Sequence, residues 1–325
     1  MSVGPIVITG ATGLIGRHCV ATARAQKATV RALVRTREKI PPQWAEDPDI
    51  ETVVIDLTTG DDMLVDALRG ASAVIHCAAA MTGDHARDTE AASSALIDAL
   101  VAADVPHVVL VGSLSVYDVR SLPDGDTLTE ECPLCTHGRD AYAQAKHAQE
   151  LLFKDGASLY GFSLSVLRLG AVWGPGHLFN AHIGPSVGAL GIIIDGGGDV
   201  PLCQVGLAAD MLVRAARSPS EVGTLNILDD DLPNRRRFMV AFRACGWPKL
   251  ALRTPLFLWR IASMLTPNSK RLPGLLKRAV LEARHRPLRY SNALMHKRLG
   301  PVTITPFEGA MQTAIHRQIK QADPS

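Results

Sequence analysis

Pro5-Ile6-Val7-Ile8-Thr9-Gly10-Ala11-Thr12-Gly13-Leu14-Ile15-Gly16 is the stretch on which the fold turns. Its apolar start reads as a buried strand, and the residues after Gly13 take up a helical pattern. Gly10, Gly13 and Gly16 stand three apart. Without a Cβ, they let the backbone turn sharply and come close to a ligand. Thr12, Leu14 and Ile15 complete the turn. A helix opening there aims free N–H groups and its positive dipole end at the same point, the usual seat of a pyrophosphate. The stretch therefore predicts a strand–turn–helix unit that holds a dinucleotide.

Outward from this unit the first half of the chain alternates strand and helix. Strands are expected at 6–9, 29–34, 52–55, 73–76 and 107–111, with helices at 14–25, 61–68 and 87–103 between them. A helix over 139–154 and a strand over 162–167 follow. Short apolar strands separated by helices predict an α/β fold, a Rossmann-type doubly wound parallel sheet covered on both faces. After Gly174-Pro175-Gly176, glycine and proline become frequent. A helix at 207–217 and a strand at 224–228 suggest that the chain returns to the sheet. The expected division is a dinucleotide-binding domain over 1–176, rejoined by 201–230, and a smaller, mostly helical substrate lobe from 177–200 and 231–325.

The bulk composition fits a soluble globular protein: 325 residues, 47% apolar and 20% charged. The first strand leaves no room for a signal peptide, and no apolar run is long enough to span a bilayer. Six unevenly spaced cysteines fit a reducing cytoplasm better than a disulfide framework. Charge is lopsided: residues 249–300 hold twelve of the 34 Lys/Arg and one of the 32 acids, Glu282. Such a face meets solvent or something anionic, such as an acyl-CoA, a phosphorylated substrate or a membrane surface, which makes peripheral membrane contact a candidate. Nothing resembles a recognition helix or a stacking platform for nucleic acid.

In a dinucleotide fold the end of the second strand faces the adenosine ribose, where a carboxylate favours NAD. Here it reads Val34-Arg35-Thr36-Arg37, without an acid. Arg35 offers a planar fork of donors to a 2′-phosphate, which favours NADP and leaves NAD as the alternative. Asp56 and Leu57, past the third strand, are candidates for the adenine edge, and Ala78 and Ala79 for a close backbone approach to the ribose.

Tyr142 and Lys146 lie four apart on a predicted helix, hence on one face. A phenol with a pKa of about 10 is a poor acid–base group at neutral pH, and an ammonium beside it lowers that value. Ser113 ends the fifth strand, at the edge where such sheets bind ligands, with a hydroxyl suited to orient a carbonyl. Ser115 is the competing choice.

Together, Gly10–Gly16, His76–Ala80, Ser113-Leu-Ser-Val-Tyr117, Tyr142/Lys146, Arg168-Leu-Gly-Ala-Val-Trp-Gly-Pro175 and Arg289-Tyr-Ser-Asn-Ala resemble the extended branch of the short-chain dehydrogenase/reductase superfamily, in the family's order. The resemblance covers most of the chain. It implies Tyr142 as general acid or base, Lys146 lowering its pKa and holding the nicotinamide ribose, and Ser113 positioning the carbonyl. It also implies that Leu169, Ala171 and Val172 lie against the nicotinamide, and that the chain forms a homodimer. Thr89 stands where the family has an asparagine, which puts a proton relay through that helix in question.

Nucleotide-sugar epimerases and dehydratases of this branch carry an arginine before the stretch Asp199–Val205, and this chain has none there. The stretch is closer to members acting on hydrophobic skeletons, of the hydroxysteroid or flavonol-reductase type. The expected activity is an NADP-dependent exchange of hydroxyl and carbonyl on a hydrophobic small molecule. An epimerase or dehydratase and a non-catalytic cofactor-binding scaffold are the alternatives. The apolar segment Pro255–Leu265 is read as a pocket wall, a membrane-interface helix or a core helix. Cys132 and Cys135 lack a second pair for zinc, His177 and His182 read as loop residues, and Arg235-Arg236-Arg237 as a solvated face.

Overall fold

Strand β1 (Ile6–Thr9) lies beside the central strand of a seven-stranded sheet in which most strands are joined by helices. It is followed by α1 (Leu14–Ala25), β2 (Val30–Val34), β3 (Ile50–Val54), α2 (Asp62–Leu68), β4 (Ala73–His76), α3 (His85–Ala102) and β5 (His107–Ser113). Next come β6 (Thr127–Leu128), α4 (Ala141–Tyr160), β7 (Ser163–Leu169), β8 (Ala171–Trp173), β9 (Ser186–Val187), β10 (Leu190–Asp195) and β11 (Leu202–Gln204). The remainder is α5 (Val205–Ala216), β12 (Thr224–Ile227), α6 (Arg235–Phe242), β13 (Leu250–Pro255), α7 (Leu256–Leu265), α8 (Arg278–His285), β14 (Arg289–Tyr290), α9 (Ala293–Leu299) and α10 (Phe307–Ala322). The computed structural model describes residues 4–59, 62–78, 85–135, 139–218, 220–266 and 274–322.

Seven strands form one parallel sheet in the order β3-β2-β1-β4-β5-β7-β12. The strand order reverses between β1 and β4, and this switch point opens a crevice beyond the strands' carboxyl ends. Period-two alternation explains the two cores. Ile6 and Ile8 pack towards α1 and α5, with Cys19, Val20, Ala208 and Leu212. Val7 and Val74 pack to the opposite side, with Leu64, Leu68, Leu96, Leu100 and Phe153 of α2, α3 and α4. Burial on both faces is what the near-continuous apolar strands require.

Fifth strand β5 runs two residues beyond the expected 107–111, because Gly112 and Ser113 still pair with Arg168 and Leu169 of β7. Helix α4 opens on Asp140, whose Oδ1 accepts from the Ala143 N–H at 2.9 Å, and closes on Gly161 in the left-handed conformation. Strand β12 lies beside β7 at the sheet's edge. A third core of Trp173, Phe238, Phe242, Phe307 and Met311 ties α6 and α10 to β8, and β13-β10-β9 form a small separate sheet. No helix among the described residues is long and apolar enough to cross a membrane.

Candidate active site

The glycine turn is built for close approach. Gly10 has φ +62°, and a Cβ there would lie 3.0 Å from the Ala78 backbone. A Cβ on Gly16 would lie 2.3 Å from the Gly10 carbonyl oxygen. Both side chains are excluded by backbone, so the turn, α1 and the end of β4 nest against one another only with glycine present. Helix α1 starts after Gly13 with no side-chain cap and no acid in its first turn. Its first N–H groups, on Leu14, Ile15 and Gly16, have no intrahelical acceptor and suit an anion. Thr12 lies in the same turn. These features fit a dinucleotide pyrophosphate.

Arg35 is exposed just beyond β2, and Asp56 is exposed just beyond β3. The Asp56 carboxylate accepts from the Thr58 N–H at 3.0 Å and its hydroxyl at 2.8 Å. These bonds, helped by the Arg35 charge, hold its pKa below the usual carboxylate range. Leu57 is half-buried beside it. The Ala78 N–H donates to Thr9 Oγ1 at 3.3 Å; Ala79 lies outside the described residues. Leu169 ends β7 buried, while Ala171 and Val172 open β8, paired with Leu202 and Cys203.

Ser113 and Tyr142 meet. They lie together at the carboxyl end of β5, the Ser113 hydroxyl near enough to the phenol to favour its ionised form, and Ser113 Oγ accepts the Ser115 N–H at 3.2 Å. Desolvation nonetheless holds the phenol above its ordinary pKa, although the residue keeps over a third of its surface exposed, and outweighs Ser113, with the Asp140 charge adding to the rise. The depression expected from Lys146 is not found, for a geometric reason. Lys146 is buried, and its Nζ donates to the Val111 carbonyl and to Gln149 Oε1, each at 2.9 Å. Burial pulls its pKa down to about 8. Two of its three N–H groups are thereby occupied.

Behind Lys146 lies a buried network that sequence reasoning missed. Gln149 Nε2 donates to His76 Nε2 at 3.1 Å and to Ser93 Oγ at 3.2 Å. His76 Nδ1 reaches Thr9 Oγ1 at 2.7 Å. With Gln149 donating to Nε2, the imidazole is neutral and carries its proton on Nδ1. That agrees with a pKa pulled down to about 3 by burial and the nearby Lys146 charge. Ser93 Oγ donates to the Thr89 carbonyl at 2.6 Å, so Thr89, also buried, joins this network through its backbone.

One helical turn further, Glu150 accepts from Arg168 Nε at 3.0 Å and from Lys154 at 2.7 Å. Arg168 also donates to the Tyr117 hydroxyl at 2.7 Å, which in turn donates to Asn226 Oδ1 at 2.7 Å. This ion pair locks α4 to β7 and so fixes the helix that carries Tyr142.

Arg235 is a correction to the expected solvated face. It is fully buried and donates to the carbonyls of His182, Gly197 and Arg284 at 3.0, 2.8 and 2.9 Å. Arg237 bridges Asp231 and Glu308, and only Arg236 is exposed. Cys132 and Cys135 are free thiols with separate partners, Thr129 and Arg120. His182 bonds Asn180 at 2.7 Å within its loop, and His177 pairs through its backbone with Gly174. No group of metal-ligating side chains occurs among the described residues.

Residues 6–221 match the NAD dependent epimerase/dehydratase family. The chain belongs to that family. A curated relative, a 3-beta-hydroxysteroid dehydrogenase of Mycolicibacterium neoaurum, is 24% identical over 247 residues, which covers 69% of this chain and 65% of that protein. Among solved structures, MoeE5 in complex with UDP-glucose and NAD superposes with a TM-score of 0.71 at 21% identity, covering 98% of this chain and all of its own. A UDP-N-acetylglucosamine 4-epimerase from Bacillus cereus gives 0.71 at 20% identity, covering 98% of this chain and 97% of its own. At these identities the structural likenesses establish the fold of this epimerase/dehydratase family member.

Proposed function

We propose that this family member is an NADP-dependent oxidoreductase that interconverts a hydroxyl and a carbonyl on a hydrophobic small molecule. The observation that carries the reading is the approach of the Ser113 hydroxyl to the Tyr142 phenol at the carboxyl end of β5. That end flanks the crevice where the glycine turn awaits a dinucleotide. The bound cofactor supplies a hydride acceptor or donor at its nicotinamide. In the reducing direction Ser113 orients the carbonyl oxygen, and Tyr142 donates its phenolic proton to that oxygen. A phenol whose pKa lies above its ordinary value is protonated at neutral pH, as this step requires. Lys146, held from behind by Val111 and Gln149, keeps an N–H for a ribose hydroxyl.

NADP is preferred on the chemistry of the β2 end, where Arg35 stands exposed and the stretch Val34–Arg37 carries no acid. A hydrophobic substrate is supported by the named activity of the curated relative and by the use of four of the lobe's arginines. Arg235, Arg237, Arg260 and Arg286 are engaged with protein carbonyls or carboxylates, not set out to cradle a diphosphate. The UDP-sugar named with a structural neighbour favours the second reading, an epimerase or dehydratase.

The test is oxidation of NADPH and NADH by the purified chain across a panel of steroid-like and smaller ketones. NADPH consumption with at least one hydrophobic ketone is expected, and Arg35→Ala should weaken NADPH binding about tenfold while sparing NADH. Tightly retained cofactor with UDP-sugar conversion and no net redox change would establish the second reading instead.

A further inference from the structure

Helix α7 turns its apolar residues outward. Phe257, Leu258, Ile261, Met264 and Leu265 are between 49% and 80% exposed. At 100° per residue these five fall within one arc of about 120°. The opposite face does the packing: Leu256 and Ser263 are buried, and Trp259 donates its indole N–H to Thr254 at 2.9 Å. Arg260 reaches sideways to Asp124 and Glu282. Neither a core helix nor a pocket wall presents five large apolar side chains to water. The strand leading into α7 adds Leu250 and Leu252, exposed on one face of the β13-β10-β9 sheet, in register with Leu190 and Ile192; Val187 extends that row.

The charge around this surface identifies what covers it. Residues 249–281 contain Lys249, Arg253, Arg260, Lys270, Arg271, Lys277 and Arg278, and no Asp or Glu. Arg253 and Arg260 are paired with acids from other segments, whereas Lys249 and Arg278 are exposed. A second copy of the chain seated on this face through a two-fold axis would bring the same cationic segment against itself. An anionic lipid surface complements both properties at once, taking the apolar stripe below its headgroups and the cations at their level.

We propose that α7 is an interfacial helix that docks this protein on anionic lipid bilayers. Phe257, Leu258, Ile261, Met264 and Leu265 enter the acyl boundary, and Lys249 and Arg278 meet the headgroups. This docking is independent of the catalytic reading, since none of these residues belongs to the Ser113–Tyr142 site. It would place the substrate lobe where lipophilic molecules are dissolved.

The experiment is co-sedimentation of the full chain with phosphatidylcholine vesicles, with and without phosphatidylglycerol, at low and high salt. Binding to the anionic vesicles is expected, about tenfold weaker to phosphatidylcholine alone and weakened by salt. Leu258→Asp/Ile261→Asp should lose about tenfold or more in affinity with an unchanged thermal melt, because both positions face water. A second variant, Lys249→Gln/Arg278→Gln, should lose the preference for phosphatidylglycerol and its salt dependence. Absence of vesicle binding would overturn the proposal. So would a dimer in sedimentation that Leu258→Asp/Ile261→Asp dissociates, since that would give the face to a second copy.

Discussion

Replacing Gln149 with leucine removes the centre of the network behind Lys146. The side chain is similar in size and the position is fully buried, so the effect is on polar partners rather than volume. Lys146 Nζ loses one of its two acceptors, at 2.9 Å, and His76 Nε2 loses its donor, at 3.1 Å. Ser93 keeps its bond to the Thr89 carbonyl, so it is not orphaned. Each buried polar group left without a partner costs about 1–3 kcal/mol. His76 Nε2 is the group left alone, and Lys146, which keeps Val111, loses one bond to a charged group at about 1.5–3 kcal/mol, so the expected loss is about 2.5–6 kcal/mol, read by urea denaturation near neutral pH. The ammonium, already pulled down to about 8 by burial, should be pulled down further. The alkaline limb of the pH–rate profile that follows Lys146 should then move to lower pH. Gln149→Glu should move that limb the other way, because a carboxylate beside Nζ favours the charged amine. If Gln149→Leu matched the parent within about 0.5 kcal/mol, the scatter of inert surface changes, and both variants kept the parental pH profile, the network would have no hold on Lys146.

Two further outcomes follow from buried charge. Glu150→Ala leaves the Arg168 guanidinium buried without its carboxylate and should cost about 3–5 kcal/mol in the same denaturation assay; a loss below about 1 kcal/mol would show that the pair does not anchor α4. Burial pulls the pKa of His76 down to about 3, of His182 to about 3 and of His285 to about 2, with neighbouring cations adding to each shift. The unfolded chain takes up those protons near pH 6.5 and the folded one only far below it, so stability should fall as pH drops from about 6.5 towards 3. Urea midpoints measured at successive pH values should decline across that window, and His285→Asn should decline less steeply; an identical slope in the variant would remove His285 from the account.

The sheet was legible because its inner strands are buried on both faces and so read as largely apolar runs, with Gly10, Gly13 and Gly16 marking the turn between β1 and α1. The place of Ser113 at a strand's carboxyl end, and of Tyr142 and Lys146 one turn apart on a helix, was legible as well. What Lys146 does was not. Its partners, Val111 and Gln149, and Gln149's partners, His76 and Ser93, come from four elements that only the fold brings together. A signal was present all the same. Lys146, Gln149 and Glu150 occupy the buried stripe of α4 beside Phe153, where a packing helix calls for apolar residues. Polar residues in such a stripe announce interior partners. Arg235 escaped notice because three consecutive arginines look like solvated charge, whereas its site is set by three carbonyls distant in sequence. The outward face of α7 was equally hidden, since an apolar helix has the same composition in a core and on a surface.

The account rests on Tyr142 as the proton donor at the site it shares with Ser113, and one variant tests this most directly. Tyr142→Phe keeps the ring and removes the hydroxyl. Cofactor affinity, followed by nicotinamide fluorescence, should stay within about threefold of the parent, while single-turnover hydride transfer to a hydrophobic ketone should fall by about 10²-fold or more, the range expected for losing a general acid. Parental hydride transfer in Tyr142→Phe, with cofactor bound as tightly as before, would contradict it.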